Sequence, residues 1–238
     1  MVPRNNLINK LVPTASHLGH KSMYKLYLIW AVVTISLTFL KDGLSNDNIT
    51  HLIILLILAL SLFIFKHLHP KNPKRFFIIS GVILAGLVEG AYMITKPVLP
   101  SLLVNIRNFN FETFINNYAI DLLLTIPIYF LIFWVIWKLI NKYNYTKWEY
   151  IFLFALGQAI GDGSGFFLLN PLGLLFIPYV MLNYHAMNIA PYLAVKNYIS
   201  EFPKSSSRWK YIVTIIVLFA TYLIGGTLIK IMAGILKI

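Results

Sequence analysis

Residues 211–236 read YIVTIIVLFATYLIGGTLIKIMAGIL, an apolar stretch that contains one charged side chain, Lys230. A helix crosses the hydrocarbon core of a bilayer with about 20 mostly apolar residues, because each residue adds about 1.5 Å. This stretch is therefore long enough to cross. Comparable runs recur along the chain, and we predict seven membrane spans at about 24–40, 50–65, 76–95, 118–140, 149–169, 171–195 and 211–236.

The composition of the whole chain agrees with this pattern. Of its 238 residues, 58% are hydrophobic and 12% are charged, whereas soluble domains average about 45–50% apolar and about 25% charged residues. So few charges cannot cover the surface of a soluble particle of this size, but a bilayer needs no polar covering. The chain is predicted to be an all-α, polytopic transmembrane helix bundle.

The first apolar run follows a short polar segment. No small-residue cleavage site comes after that run, so we interpret it as a retained span and not as a removed signal peptide. Residues 1–23 then form a cytoplasmic N-terminal segment, and residues 24–238 form a single transmembrane domain. The chain has no cysteine, which excludes disulfides, thiolate metal sites and cysteine nucleophiles.

Lysine and arginine residues predict which side of the membrane each loop occupies, because cytoplasmic loops carry an excess of both. When alternate loops are assigned to the cytoplasm, beginning with the N-terminus, 15 of the 20 basic residues lie inside and the C-terminus lies outside. A six-span alternative that merges 149–195 into one helix would place the basic cluster of 196–210 outside, against this pattern. A re-entrant hairpin of 149–169 and 171–195 would leave the sidedness unchanged, and it stays an alternative.

The formal net charge of +12 does not indicate nucleic-acid binding. The basic residues stand in short clusters between apolar runs, without an aromatic-interleaved basic surface or a nucleic-acid motif. Abundant Lys, Asn and Ile without Cys is typical of an AT-rich microbial genome. We therefore expect a multi-pass protein of a microbial cytoplasmic membrane, with the lipid bilayer as its surroundings.

Charged side chains inside the spans are candidates for function, because a charge in the middle of a membrane helix costs about 2.5–3.5 kcal/mol on insertion scales. Glu89 lies in the third span and Asp162 in the fifth, each about 20 Å from the cytoplasmic side at helical rise. Asp121 and Lys230 are expected at the outer ends of the fourth and seventh spans. Charge thus gathers in the outer half of the bundle, either as a polar pocket or as ion pairs that involve Asp121 and Lys230.

The fifth span combines small and polar residues. Its glycines, Gly157, Gly161 and Gly165, are each four residues apart, a spacing that favours close packing against a neighbouring helix. The alternative is a helix broken between Gly161 and Gly165 that directs Asp162 at an ion, as in discontinuous transporter helices. Gln158 precedes Asp162 by about one turn and shares its face.

Small and polar residues also mark the third and sixth spans. Gly86 and Gly90 flank Glu89 as a second packing pair, which would bring Glu89 close to the fifth helix. In the sixth span, His185 and Asn188 are three residues apart and share part of one face. They are predicted to form hydrogen bonds between helices or, alternatively, to line a polar path below the acidic pocket.

The longest connection, residues 96–117, lies outside in this topology. Apolar residues such as Leu102, Leu103 and Phe114 alternate there with asparagines and Arg107. An amphipathic helix at the interface and an irregular loop on the outer face are both consistent with this pattern.

No motif indicates metal, nucleotide or serine-nucleophile chemistry. The chain has no HExxH, HxxxH or GxSxG motif in a suitable context. The glycine-rich 161–165 lies within an apolar span and follows no strand, so a phosphate loop is not expected there. No metal site and no cofactor are predicted.

Three classes of function are consistent with these residues. The one we favour is transport or binding of a small solute or cation, without enzymatic activity. The second is a membrane-embedded enzyme that acts on a lipid or isoprenoid, with Glu89 and Asp162 as general acid and base. The third is a structural or partner-binding subunit in which every polar group is paired. For the first class, the predicted binding residues are Glu89, Gln158, Asp162, His185 and Asn188.

Overall fold

The structure is a computed structural model that describes residues 14–164, 171–199 and 205–238, with side chains from residue 25 onward except 163–172 and 200–204. These described residues form helices and no strand, which confirms the all-α prediction for them. The eight α-helices are α1 (Thr14–Asp42), α2 (Asn46–Phe65), α3 (Pro73–Tyr92), α4 (Phe111–Lys142), α5 (Lys147–Ala159), α6 (Pro171–Leu174), α7 (Ile177–Ile199) and α8 (Lys210–Leu236).

Four helices, α2, α3, α4 and α8, are long and apolar enough to cross a membrane, which indicates a membrane protein. Their outer surfaces carry large apolar side chains such as Phe63, Ile83 and Ile216, each more than half exposed. Lipid chains cover such surfaces without cost, whereas a soluble protein rarely exposes apolar patches of this extent.

Polar caps fix where several helices begin. The side chains of Ser45, Asn72 and Asn110 accept hydrogen bonds from backbone N–H groups in the first turns of α2, α3 and α4. Such caps satisfy donors that the helix itself leaves unpaired. Because Asn110 is a cap, α4 begins at Phe111 and not at the predicted residue 118.

The segment between α3 and α4 is a loop and not an amphipathic helix. It contains two short 3₁₀ turns, Pro100–Leu102 and Ile106–Asn108. Leu102 and Val104 are buried against Met93, so the apolar residues of the segment form a small cluster of their own beneath the loop.

Helix α7 lies at the centre of the bundle, in contact with α1, α2, α3 and α5. Nearly every residue from Met181 to Tyr192 is buried. A helix surrounded by other helices need not present an apolar face to lipid. Helix α7 is accordingly less apolar on average than the four helices named above. The predicted run 171–195 is divided in the structure, because α6 ends at Leu174 and a turn precedes α7.

Contacts between loops define one end of the bundle, here called the Lys210 end. The backbone N–H of Ser205 donates to the carbonyl of Lys142 at 3.1 Å, which ties the segment before α8 to the end of α4. Lys210 forms an ion pair with Glu149 at 2.7 Å, between the first turns of α8 and α5.

The opposite end is here called the Asp121 end. Asn46, at the start of α2, donates to the carbonyl of Ile94 at 3.4 Å, just after α3. The N–H of Val98 donates to Asp121 Oδ1 at 2.9 Å, so the loop after α3 is held against α4.

Candidate functional site: a cavity between α3, α4, α5 and α8

A cavity of about 330 Å³ lies toward the Asp121 end, between α3, α4, the turn that follows α5, and α8. Two carboxylates line it, Glu89 from α3 and Asp162 from the turn after α5. Two tyrosines, Tyr129 and Tyr222, and the ammonium-bearing Lys230 also line it. Side chains that are far apart in the sequence therefore line one cavity.

Glu89 reaches the cavity from the last turn of α3. Its Oε1 accepts a hydrogen bond from the hydroxyl of Tyr129 on α4. The small residues beside it allow this approach, since a Cβ on Gly90 would lie 3.2 Å from the ring of Tyr118, and one on Gly86 would lie 3.3 Å from Leu122. Both glycines thus face α4.

Asp162 lies in a π-helical turn, Ile160–Ser164, where the fifth helix widens. Its Oδ2 accepts a hydrogen bond from the hydroxyl of Tyr184 on α7 at 2.7 Å, while the rest of the carboxylate is open to the cavity. Single π-helical turns inside α-helices are frequent at functional sites. The described part of the fifth span is a distorted helical turn. It is intermediate between the regular, closely packed helix and the broken helix that the sequence left open.

Two glycines of the fifth span contact α8 closely. A Cβ on Gly157 would lie 2.9 Å from Leu218, and one on Gly161 would lie 2.8 Å from Tyr222. Both distances are shorter than real Cβ contacts. The atom close to Gly161 is Tyr222 Cβ, which cannot move without its backbone, so this packing requires glycine at 161, whereas the atom close to Gly157 ends a flexible leucine side chain. The third predicted packing residue, Gly165, lies outside the described residues.

The carboxylates of the cavity lack a cationic partner within the described ranges. The single ion pair found there is that of Lys210 with Glu149, at the other end of the bundle. Asp121 and Asp162 are close enough to Glu89 to repel its charge, and Lys96 is close enough to Asp162 to attract it. A charge taken out of water is costly unless it is paired, so these carboxylates favour a proton or a cation between them.

Asp121 and Lys230, the predicted ion-pair partners, occupy different positions. Asp121 is fully buried, and its Oδ1 accepts from the N–H of Val98, while its Oδ2 has no hydrogen-bond partner in the protein. Lys230 is exposed on α8 and borders the cavity. The structure therefore places Lys230 beside Glu89 and Asp162 and assigns Asp121 to the loop contact.

Gln158 does not line the cavity, but it forms a hydrogen bond with a residue that does. It is fully buried, and its Oε1 accepts a hydrogen bond from the hydroxyl of Tyr222 at 3.1 Å. Its Nε2 donates to the carbonyl of Phe154 at 3.0 Å. Gln158 thus fixes the position of a tyrosine that does line the cavity.

His185 and Asn188 do not line the cavity. His185 Nε2 is 2.6 Å from the hydroxyl of Tyr27 on α1, and the two rings meet edge to face. His185 Nδ1 and both polar atoms of the Asn188 side chain are buried without a hydrogen-bond partner in the protein. His185 therefore lies on the side of α7 that faces α1, and Asn188 is buried elsewhere than at the cavity.

Sequence reasoning missed Tyr129 and Tyr222, which supply hydroxyls at the cavity. A signal was present, because a tyrosine inside an apolar span must find a hydrogen-bond partner for its hydroxyl when it is buried. Tyr129 and Tyr222 both lie within predicted spans. What could not be predicted was which polar residue each would meet.

Comparison with protein-family models, with curated proteins and with solved structures finds no match to this chain. The functional proposal therefore rests on the geometry of the cavity. Within the described residues, no three His, Cys, Asp or Glu side chains are grouped so that they could hold a metal ion. The class defined by the fold and the cavity is a helical membrane protein with an acidic internal space.

Proposed function

We propose that the chain crosses the membrane seven times, with its N-terminus in the cytoplasm and its C-terminus outside. The course of α7 supports this number of spans. At the Asp121 end, Tyr179 of α7 donates to Asn48 of α2 at 2.8 Å and stacks on His51 at 3.6 Å between ring centroids. At the other end, Tyr198 borders the same groove as Lys66. Helix α7 thus runs beside the whole length of α2, which is long enough to cross.

The loop contacts support the proposed sidedness. In a seven-span topology, the loops after α4 and α7 both lie in the cytoplasm, and the hydrogen bond between Ser205 and Lys142 joins them. The loops after α1 and α3 both lie outside, and Asn46 joins them by its bond to Ile94. A six-span topology would place Ser205 and Lys142 on opposite sides.

We further propose that the protein binds and moves a small cation or cationic solute through the cavity. The observation that carries this proposal is that Glu89 and Asp162 share the cavity, each with one tyrosine hydroxyl and neither with an ion-pair partner in the described residues. Ligand pockets typically have volumes of about 300–1,000 Å³. A cavity of about 330 Å³ suits a small ligand.

Flux into vesicles tests this function. The purified chain is reconstituted, and uptake of protons, sodium and methylammonium is measured for the wild type, Asp162→Asn and Glu89→Gln. We expect at least one of these cations to enter, and each substitution to lower its flux about tenfold or more, because removing one partner of a buried charged interaction costs 2 kcal/mol or more. Glu112→Gln is the matched control, since Glu112 is exposed at the start of α4, outside the cavity.

Two results would overturn the proposal. One is a flux of all three cations equal to that of protein-free vesicles. The other is a flux that Asp162→Asn and Glu89→Gln leave at the level of the control Glu112→Gln.

A second candidate function is catalysis on a lipid or isoprenoid, with Glu89 and Asp162 as general acid and base. One observation favours it. Leu223 and Thr227 border the cavity and are exposed on the outer surface of α8, so a lipid has a lateral route to the carboxylates. Mass spectrometry of membrane lipids incubated with the wild type and with Asp162→Asn would detect a product that the variant does not form.

A purely structural role is disfavoured, because it predicts no cavity.

A further inference from the structure

A second cavity, of about 580 Å³, lies at the Lys210 end between the last turns of α2 and α7. It is here called the basic groove, and none of its lining residues lines the cavity proposed for cation transport. Lys66 and His69, which follow α2, are exposed and border it. Asn197 and Tyr198, from the last turns of α7, complete its polar part.

The polarity of the basic groove changes along the helix axes. Toward the middle of the bundle it is lined by Leu62 of α2 and by Ala190 and Leu193 of α7. Ala190 and Ala194 are four residues apart on α7, and their small side chains leave the space that the groove occupies. The groove is thus apolar at membrane depth and basic where the helices end.

This gradient matches the shape and chemistry of one class of ligand. A phospholipid at the cytoplasmic surface presents a negatively charged phosphate at the depth of the helix ends and an acyl chain that runs toward the middle of the bilayer. Basic pockets between helices on the cytoplasmic side bind anionic headgroups, and each Lys or Arg near the surface contributes about 1 kcal/mol. Lys71, Lys74 and Arg75 follow Lys66 closely in the sequence and add to the positive field.

We propose that the basic groove binds one anionic phospholipid of the cytoplasmic leaflet. Lys66 and His69 hold the phosphate, Tyr198 donates its hydroxyl to it, and one acyl chain lies along Leu62, Ala190 and Ala194. A free phosphate ion would use only the basic part of the groove, and a zwitterionic lipid would bring no net charge to it. The assignment of this lipid to the cytoplasmic leaflet rests on the proposed topology. The choice of an anionic phospholipid as the ligand rests on the residues that line the groove.

Native mass spectrometry of the full chain in detergent tests this site. Phosphatidylglycerol and phosphatidylcholine with identical acyl chains are titrated separately, and glycerol phosphate serves as the soluble headgroup. We expect one tightly held phosphatidylglycerol, weaker binding of phosphatidylcholine, and no retention of glycerol phosphate. Lys66→Gln should lower the phosphatidylglycerol affinity about fivefold, which corresponds to about 1 kcal/mol. Ala194→Trp, which fills the apolar part, should lower the affinity for both lipids.

Lys138→Gln is the matched control, because Lys138 is exposed near the same end of the bundle on α4, away from the basic groove. Equal losses in Lys66→Gln and Lys138→Gln would show a diffuse attraction and overturn the site. Equal affinity for the two lipids would overturn the charge selectivity, and retained glycerol phosphate would show a free-anion site instead. Cation flux is measured on separate variants, so failure of the transport proposal leaves this test unaffected.

Discussion

Tyr184, whose own side chain is buried, donates its hydroxyl to Asp162. We expect Tyr184→Phe to lower the free energy of unfolding by about 1.5–3 kcal/mol, the usual contribution of a hydrogen bond to a charged group. The midpoint of unfolding in mixtures of SDS and mild detergent measures this loss.

Tyr211→Phe is the matched control, because Tyr211 also donates to a carboxylate, that of Glu149, but its side chain is 37% exposed. Water replaces the lost partner there, so the loss should be below about 1 kcal/mol. Equal losses in the two variants would contradict the distinction between a buried and an exposed bond.

Individual residues show how far sequence reasoning reaches. Glu89 and Asp162 stood out because charge is rare inside apolar spans, and the structure brings them to one cavity. His185 and Asn188 were predicted to belong with them, but neither lines that cavity, and His185 faces α1. Successive residues of a helix point about 100° apart. Because Tyr184 faces Asp162, its neighbour His185 points away from Asp162. The rotation of α7 thus decides which of its polar residues approach the cavity, and the sequence pattern alone did not predict that rotation.

At the level of the helix, α8 offers a way to fill the cavity without disturbing its walls. Gly226 borders the cavity, and a Cβ built on it would meet no atom within 4 Å. We expect Gly226→Leu to abolish cation flux while the unfolding midpoint stays near that of the wild type, since leucine also favours the helix over glycine.

Gly234→Leu is the matched control, because a Cβ at Gly234 also meets nothing within 4 Å and this residue lies about one turn beyond the last cavity-lining residue of the same helix, Lys230. Its flux should equal that of the wild type. Unchanged flux in Gly226→Leu would show that the cavity is not the route of the cation.

Helix boundaries followed the apolar runs at some ends and departed from them where polar residues cap and extend the helix. The second run, 50–65, ends where α2 ends. In contrast, α4 extends beyond its apolar run because Asn110 caps it and polar residues continue the helix. The run 171–195 also misplaced the start of α7, because α6 and a turn precede Ile177.

For the whole molecule, the absence of cysteine makes the topology directly measurable. Single substitutions Lys71→Cys, Arg107→Cys and Ser206→Cys place one thiol each at exposed loop positions. In intact cells, we expect a membrane-impermeant thiol reagent to label only Arg107→Cys, since the other two positions lie in the cytoplasm in the seven-span topology. Permeabilised cells, in which all three should react, provide the control. Labelling of residues 71 and 206 from opposite sides would refute this topology.

The central position of α7 has a consequence for biogenesis. Helices α1, α2 and α3 are synthesised first, yet each of them packs against α7, which leaves the ribosome only after most of the chain. In the proposed seven-span topology, the early helices would enter the lipid before α7 and would complete their contacts only after α7 inserts. We therefore expect this protein to mature late, with a long interval in which quality-control proteases could act on the unfinished chain.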